Sequence, residues 1–462
     1  MAFSTTLSPR TALLLPLIAA AAWVSAPQPD DRPNVLLIVA DDLGFQDLGF
    51  QGASDIRSPN LDRLAAESVR FTDGHTTASV CSPSRAGLMT GRYQQRFGHE
   101  ANSPPAPHGM DLEQITIAQE MKDAGYRTGI VGKWHLGTLD THYPTARGFD
   151  YFYGLRAGGR GYFHDPSKYD QPDNNRRIEE NGEQVAFDGY LTDVFGDKAV
   201  EFIDQDPDTP FFLYLSFTAP HTPMHATEED LARFEHIEDT KRRTYAAMIW
   251  AMDRAIGEVL SRLESLGVAD DTLVWFLSDN GGATVNASSN APLAGHKGIK
   301  FEGGIRVPFT LRWTSKLPGG RDYAPMVSAL DILPTSVTAA GGDAVGRRPL
   351  DGVDLLPHLL GEATAAPHDR LYWHKLWFSA MRDGPWKLIQ VQDHGHALYN
   401  LDDDLAEKHN LAPTEPERVA EMTADLEAWK RELAQPSWNE SKRWFRIHSK
   451  NHIKIIEGRD GR

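Results

Sequence analysis

Apolar runs of strand length alternate with amphipathic stretches of helical period along most of this 462-residue chain. That alternation predicts an α/β fold built on one large, mostly parallel mixed sheet flanked by helices. Residues 34–40 (Asn34-Val-Leu-Leu-Ile-Val-Ala40) form a continuous apolar run, as a strand covered on both faces requires. Further strands are predicted at 126–132, 211–217 and 272–278, and helices at 60–68, 84–90, 116–124, 192–204 and 240–266. Gly- and Pro-rich stretches at 103–107 and 341–349 read as loops. Beyond residue 364 the texture changes. Segments 371–380 and 386–392 read as short strands, with turns at Asp383-Gly384 and around Gly395, and 415–434 reads as a polar amphipathic helix. The expected division is a main domain over 27–364, a smaller C-terminal α+β subdomain with an antiparallel sheet over 365–435, and a basic tail over 436–462. That tail, with Lys442, Arg443, Trp444 and Arg446, reads as solvated or loosely docked.

Residues 1–26 have the layout of a secretory signal. Arg10 precedes an apolar run from Ala12 to Val24, broken by Pro16, and Val24-Ser25-Ala26 offers small residues for cleavage. The run is shorter than the roughly 20 residues a bilayer span needs, so export to a periplasm or extracellular space is expected, with no stable membrane anchor. Charge narrows the field further. The 47 basic and 64 acidic residues leave a net charge of −17, which argues against a nucleic-acid binder. The same field repels an anionic substrate, so a site for one must be built from local cations or a metal.

Four polar clusters each follow directly after a predicted strand: Asp41-Asp42, Lys133-Trp134-His135, Ala219-Pro220-His221 and Asp279-Asn280-Gly281-Gly282. In an open α/β sheet, ligands bind in the crevice beyond the carboxyl ends of the strands, so clusters distant in sequence can share one site. An aspartate pair after a strand caps a helix or a turn as readily as it binds an ion. A matching Asp279-Asn280 after another strand tips that balance. These four side chains offer only oxygen, the donor set of a hard cation such as Ca²⁺ or Mg²⁺. Lys133 and His135 lie two apart and so point to one side of an extended segment, and His221 lies in a turn fixed by Pro220 and Pro223. The single cysteine, Cys81, has no partner for an internal disulfide, and Ser, Pro, Ser and Arg85 crowd it.

The string Cys81-Ser-Pro-Ser-Arg85-Ala-Gly-Leu-Met-Thr90-Gly-Arg92 resembles the C-x-P-S-R-x-x-x-x-T-G-R signature of the type I sulfatases, within the alkaline phosphatase superfamily. Lys297-Gly-Ile-Lys-Phe-Glu-Gly-Gly304 is similar to that family's K-G-x-x-aromatic-E-G-G element, and Leu398-Tyr-Asn-Leu-Asp402 with residues 407–411 to a turn of its C-terminal subdomain. The resemblance implies an alkaline-phosphatase-like fold and sulfuric ester hydrolysis. It also implies conversion of Cys81 to formylglycine (3-oxoalanine) by a formylglycine-generating enzyme. One Ca²⁺ is then expected on Asp41, Asp42, Asp279, Asn280 and the oxygen at position 81. Lys133 and Lys297 would stabilise sulfate charge, His135 would bond the formylglycine diol and take its proton, and His221 would protonate the leaving alcohol. Arg85 is placed to neutralise the alkoxide and the metal-bound carboxylates. Export points to a sulfated polysaccharide or glycosaminoglycan fragment as substrate. Arg156, Arg160 and His164, in a glycine-rich loop, are candidate glycan contacts, with His99, Trp373 and His374, while Lys300 is expected at the surface. Two rival readings are a phosphoesterase or phosphonate monoester hydrolase of the same superfamily, and a carbohydrate-binding protein whose cysteine stays unconverted.

Overall fold

The run 34–40 lies in the middle of a ten-stranded sheet because every side chain after Asn34 is apolar: Val35 to Ala40 are wholly buried. In the computed structural model, residues 1–2, 32–102, 108–343 and 348–457 are described. The leader read at 1–26 lies, from residue 3 on, outside them, as do the loop residues 103–107. The sheet strands in chain order are β1 (Asn34–Ala40), β2 (Val69–Phe71), β3 (Arg127–Lys133), β4 (Tyr151–Leu155), β5 (Glu179–Glu180), β6 (Glu183–Gln184), β7 (Phe211–Ser216), β8 (Thr272–Ser278), β9 (Phe309–Arg312) and β10 (Arg321–Tyr323). They lie in the order β10-β2-β9-β8-β1-β7-β3-β4-β5-β6. The central pairs β8-β1, β1-β7, β7-β3 and β3-β4 are parallel, whereas β9 runs antiparallel to both its neighbours.

Strand alternation divides the core. Leu36 and Ile38 face one layer with Leu213, Leu215, Val274 and Phe276, covered by α4 (Leu191–Asp204) and α5 (Thr240–Ser265). Val35, Leu37 and Val39 face the other with Phe212, Tyr214, Trp275 and Leu277. That side is covered by α2 (Cys81–Thr90), α3 (Ile117–Asp123) and α6 (Ile332–Ala339), while α1 (Pro59–Ala66) packs along α5. Burying each such side chain contributes roughly 1.5–3 kcal/mol, so the register of this double-sided sheet is strongly specified.

A separate four-stranded antiparallel sheet follows: β11 (Arg370–Lys375), β12 (Phe378–Asp383), β13 (Trp386–Val391) and β14 (Gly395–Asn400). The stretch predicted as one strand over 371–380 is two, because Leu376 turns the chain with a φ of 55°. One face packs on α7 (Pro416–Lys430) through Met381, Leu388 and Leu398 against Met422, Leu426 and Trp429. The other face packs on Ile299, Phe301 and Ile305, so this sheet backs the segment that begins at Lys297. The basic tail keeps Lys442, Arg443, Trp444 and Arg446 exposed, as read, but its described part also docks. It forms α8 (Lys442–Ile456) and inserts His448 and His452, both buried. Lys300, expected at the surface, is only 2% exposed. Its backbone N–H donates to His452 Nε2, and burial, reinforced by Lys375, pushes its ammonium pKa down to about 7. From Arg32 onward the described residues form one compact unit, in which no helix is long and apolar enough to cross a membrane.

Candidate active site

Register brings the polar clusters together. Ala40 pairs with Ser278, Val39 with Ser216, and Gly132 also with Ser216. Asp41, Asp279 and Lys133 therefore leave the sheet at one rim, the carboxyl ends of parallel strands where α/β sheets bind ligands. Cys81 opens α2, three residues earlier than the predicted helix start, and the helix stops at Gly91 in the left-handed conformation. Arg85, one turn on, shares its face.

The side chains converge on the cysteine. Its Sγ lies 3.0 Å from Lys297 Nζ, 3.5 Å from Asp41 Oδ1 and 3.9 Å from Asp42 Oδ1. Lys133 Nζ donates to Asp41 Oδ2 at 2.7 Å, and Lys297 Nζ pairs with Asp42 Oδ1 at 2.6 Å. Arg85 Nε donates to Asp279 Oδ2 at 2.9 Å, and its NH1 to Ser216 Oγ at 2.5 Å. Asn280 Nδ2 donates to Asp42 Oδ1 at 2.8 Å, and His221 Nε2 lies 3.6 Å from Asp42 Oδ2. His221 sits on the predicted turn, and its Nδ1 bonds the Thr222 carbonyl at 2.6 Å, which leaves Nε2 facing the carboxylates. All ten predicted metal and catalytic positions thus lie in one cluster, His135 beside Lys133 and Arg85.

The electrostatics of this cluster have physical causes. Burial works to raise Asp41, but Lys133, then His221 and Arg85, outweigh it and hold the carboxyl well below the usual range. Burial and the neighbouring Asp41 charge push Asp279 up to about 6. Burial, then Asp279, push the Cys81 thiol up to about 12. An unmodified Cys81 is therefore a protonated thiol and a poor nucleophile. His135 is held well below its ordinary value by burial and by the Lys133 and Arg85 charges, so it is a neutral ring, and neither of its buried nitrogens has a hydrogen-bond partner. Burial against Lys297's charge is overcome by Asp42, Cys81 and Asp41, which lift its pKa well above the usual value.

The residues present fit a hard cation. Three carboxylates crowd together, and although each has a cation beside it, Asn280 Oδ1 is buried with no hydrogen-bond partner, an orphaned acceptor that costs free energy until a donor or a cation meets it. Asp41, Asp42, Cys81 and His221 bring their ligand atoms within 4.8 Å of one another. A second such group, Asp73, His75 and Glu302, is paired with Arg306, Arg382 and Lys387 and leaves no oxygen of Asp73 or Glu302 without a partner, so it reads as an ion-pair network.

Two features were not anticipated from sequence. Asp42 (φ 65°) and His135 (φ 60°) both adopt the left-handed region, uncommon for residues with a Cβ and concentrated at functional sites. The glycan candidates are also mostly occupied. Arg156 pairs with Glu179 at 2.9 Å and Asp140 at 2.8 Å. Arg160 is buried and takes both oxygens of Asp170, with His164 on the same carboxylate at 3.2 Å. His99 is buried against Trp438, Trp373 is buried and donates to the Thr76 carbonyl, and His374 bonds Ser379.

A hydrolase of the alkaline-phosphatase-like architecture is the class this rim defines, and comparison with known proteins specifies it. The sulfatase family model matches residues 33–342. The chain is 35% identical over 377 residues to N-acetylgalactosamine-6-sulfatase of Canis lupus familiaris, covering 76% of this chain and 70% of that protein. It is 31% identical over 464 residues to arylsulfatase G of Rattus norvegicus, covering 86% of each. Among solved structures, Ps i-CgsB in complex with k-i-k-neocarrahexaose matches with a TM-score of 0.84 at 35% identity, over 92% of this chain and 99% of that one. The chain belongs to the sulfatase family and is a sulfuric ester hydrolase.

Proposed function

We propose that the protein removes sulfate from a sulfated carbohydrate, using a formylglycine made from Cys81 by a formylglycine-generating enzyme and one Ca²⁺ held by Asp41, Asp42, Asp279 and Asn280. When present, these two groups supply a hydroxyl nucleophile and a Lewis acid for the sulfuryl oxygens. The observation that carries the reading is the setting of Cys81. A single cysteine lies within 4 Å of two carboxylates and a lysine, yet its own thiol is held protonated up to about 12.

The chain's own residues have distinct tasks in this reaction. Lys133 and Lys297 neutralise charge building on the sulfuryl oxygens, in a site sealed enough for those charges to act strongly. His221 Nε2, facing the Asp42 carboxylate, would give its proton to the departing sugar oxygen from the imidazolium form, which burial disfavours and the Asp41 and Asp42 charges favour. His135, neutral and with both nitrogens free, accepts the proton released when sulfate is expelled. Arg85 fixes the Asp279 carboxylate and ties it to β7 through Ser216. The carbohydrate assignment is supported by the names of the relatives, one crystallised with a neocarrahexaose, and by the signal-like leader, which would carry the enzyme to an exported, periplasmic or extracellular compartment. Arylsulfatase G is a reminder that aryl sulfates belong in the assay.

The test is intact-mass spectrometry of protein co-expressed with a formylglycine-generating enzyme, followed by assay after chelation and calcium return. Conversion lowers the mass by about 18 Da, and activity should track both the converted fraction and the restored calcium. Full activity in unconverted protein, or activity indifferent to chelation, sinks the proposal. Binding of sulfated sugar with no turnover by converted, calcium-loaded protein would favour a carbohydrate-binding role instead.

A further inference from the structure

A cavity of about 700 Å³ opens beside His135, bounded by Thr138, Gly158, Gln171, Asn175 and Arg176, with Asp173 also on its wall. That volume is typical of sites that hold small organic ligands, and His135 forms part of its wall. A Cβ at Gly158 would meet His135 Nε2 at 2.5 Å, and one at Gly159 would meet His221 Nδ1 at 3.3 Å. The backbone at 158–159 thus lies flush against both rings, and His135 is the member of the Cys81 cluster that borders the cavity.

The arginines of this region differ sharply in how they are occupied. Arg156, Arg160 and Arg177 are each tied to a carboxylate, on Glu179 and Asp140, Asp170, and Glu179 respectively. Arg176 is exposed on the cavity wall, and its guanidinium has no ion pair among the described residues. Only its backbone is engaged, its N–H donating to Asn174 and its carbonyl accepting from Arg160. The backbone of Arg176 is therefore pinned while its charge stays free. A planar guanidinium matches the oxygens of a sulfate or carboxylate two at a time, and the side-chain amides of Gln171 and Asn175 suit sugar hydroxyls.

Building on the sulfatase reading above, we propose that this cavity is the subsite for the sugar next to the scissile sulfate, and that Arg176 selects substrates carrying a second anionic group there. Asp173, on the same wall, opposes that anion and sets an upper limit on the affinity.

Three disaccharides separate the possibilities: one with the scissile sulfate and a second sulfate ester, one with the scissile sulfate and a uronate carboxylate, and one with the scissile sulfate alone. Arg176→Gln should raise KM about tenfold on whichever doubly charged sugar fits, with kcat held within about twofold and less than a twofold change in KM on the singly charged sugar. Arg176→Lys should restore part of the loss, and Asp173→Asn should move KM in the opposite direction. Equal effects of Arg176→Gln on all three sugars, no effect on any, or a raised KM in Asp173→Asn would overturn the subsite. Calorimetric binding of the same sugars to unconverted protein reads Arg176 without turnover. A converted enzyme that binds the doubly charged sugar through Arg176 but hydrolyses no sulfate ester would refute the reaction and leave the subsite standing.

Discussion

Lys133 is wholly buried and so is its partner Asp41, so its ammonium does two things at once. It holds a carboxylate ionised inside the protein, and it presents positive charge to the rim where sulfate is expected. Lys133→Ala should lower kcat/KM by about 10²–10³-fold, the usual loss when a preorganised charge at a developing anion is removed, read by steady-state kinetics. It should also lower the unfolding midpoint, because Asp41 is left without its closest cation. A large stability loss with kcat/KM intact in the folded fraction would make Lys133 purely structural. Much at this scale was legible in the sequence: Cys81, the two aspartate-bearing turns, both lysines and both histidines all lie where the motifs put them. The left-handed backbone of Asp42 and His135 was not, since it depends on how the chain must bend to leave the sheet rim. Nor were the partners of Arg156 and Arg160. An arginine in a glycine-rich loop looks free until the fold brings Glu179 and Asp170 to it. Arg176 escaped notice for the converse reason: an exposed polar residue carries no periodicity.

Among the elements, the small sheet positions chemistry that it does not itself contain. Its apolar face packs on Ile299, Phe301 and Ile305, and Lys387 of β13 binds both Glu302 at 2.8 Å and Glu407 at 2.9 Å. The segment beginning at Lys297 is thus clamped from behind. On its other flank, a Cβ at Gly298 would meet His448 of α8 at 2.3 Å, which is why the tail docks closely there. Sequence reading placed part of the small sheet but neither the helix of the tail nor its close docking, because the charges of α8 suggest solvent while its two buried histidines are spaced one helical turn apart. A second link, from the approach to β11 back to the cap before α6, titrates. His368 Nε2 lies 2.8 and 3.0 Å from the two oxygens of Asp331. Burial works against the imidazolium, but Asp331 outweighs it and the folded pKa is raised above 6.5. A group raised on folding contributes stability that is complete below its unfolded pKa and is lost as pH rises through the folded value. His368→Asn should therefore cost more at pH 5.5 than at pH 9, by about 1–2 kcal/mol for a charge-assisted bond, measured as the gap in unfolding midpoints. A gap that is constant with pH, or wider in alkali, would contradict the assignment.

For the whole molecule, the question is how a chain of net charge −17 would capture the sulfated carbohydrate proposed as its substrate. Long-range and short-range fields have opposite signs here. Far from the rim, an approaching sulfated oligosaccharide meets the summed negative charge and is repelled. Within a few ångströms it meets Lys133, Lys297 and Arg176, the first wholly buried and the second half-buried, and so weakly screened. Salt distinguishes these contributions, because the Debye length shrinks from about 30 Å at 0.01 M to about 10 Å at 0.1 M. Repulsion from the distant surface then fades while contacts at the rim largely persist. For a doubly charged oligosaccharide, kcat/KM should rise between those concentrations, and the rise should be shallower for a small aryl sulfate with one charge. Arg176 is exposed and, unlike the buried lysine, is itself screened by salt, so in Arg176→Gln the rise should steepen, because an attraction that salt weakens is gone. Initial-rate measurements at low substrate across that salt range give the slope directly. A monotonic fall for the wild-type protein would mean that local cations govern the approach at all distances, and that the acidic surface is turned away from the path the substrate takes.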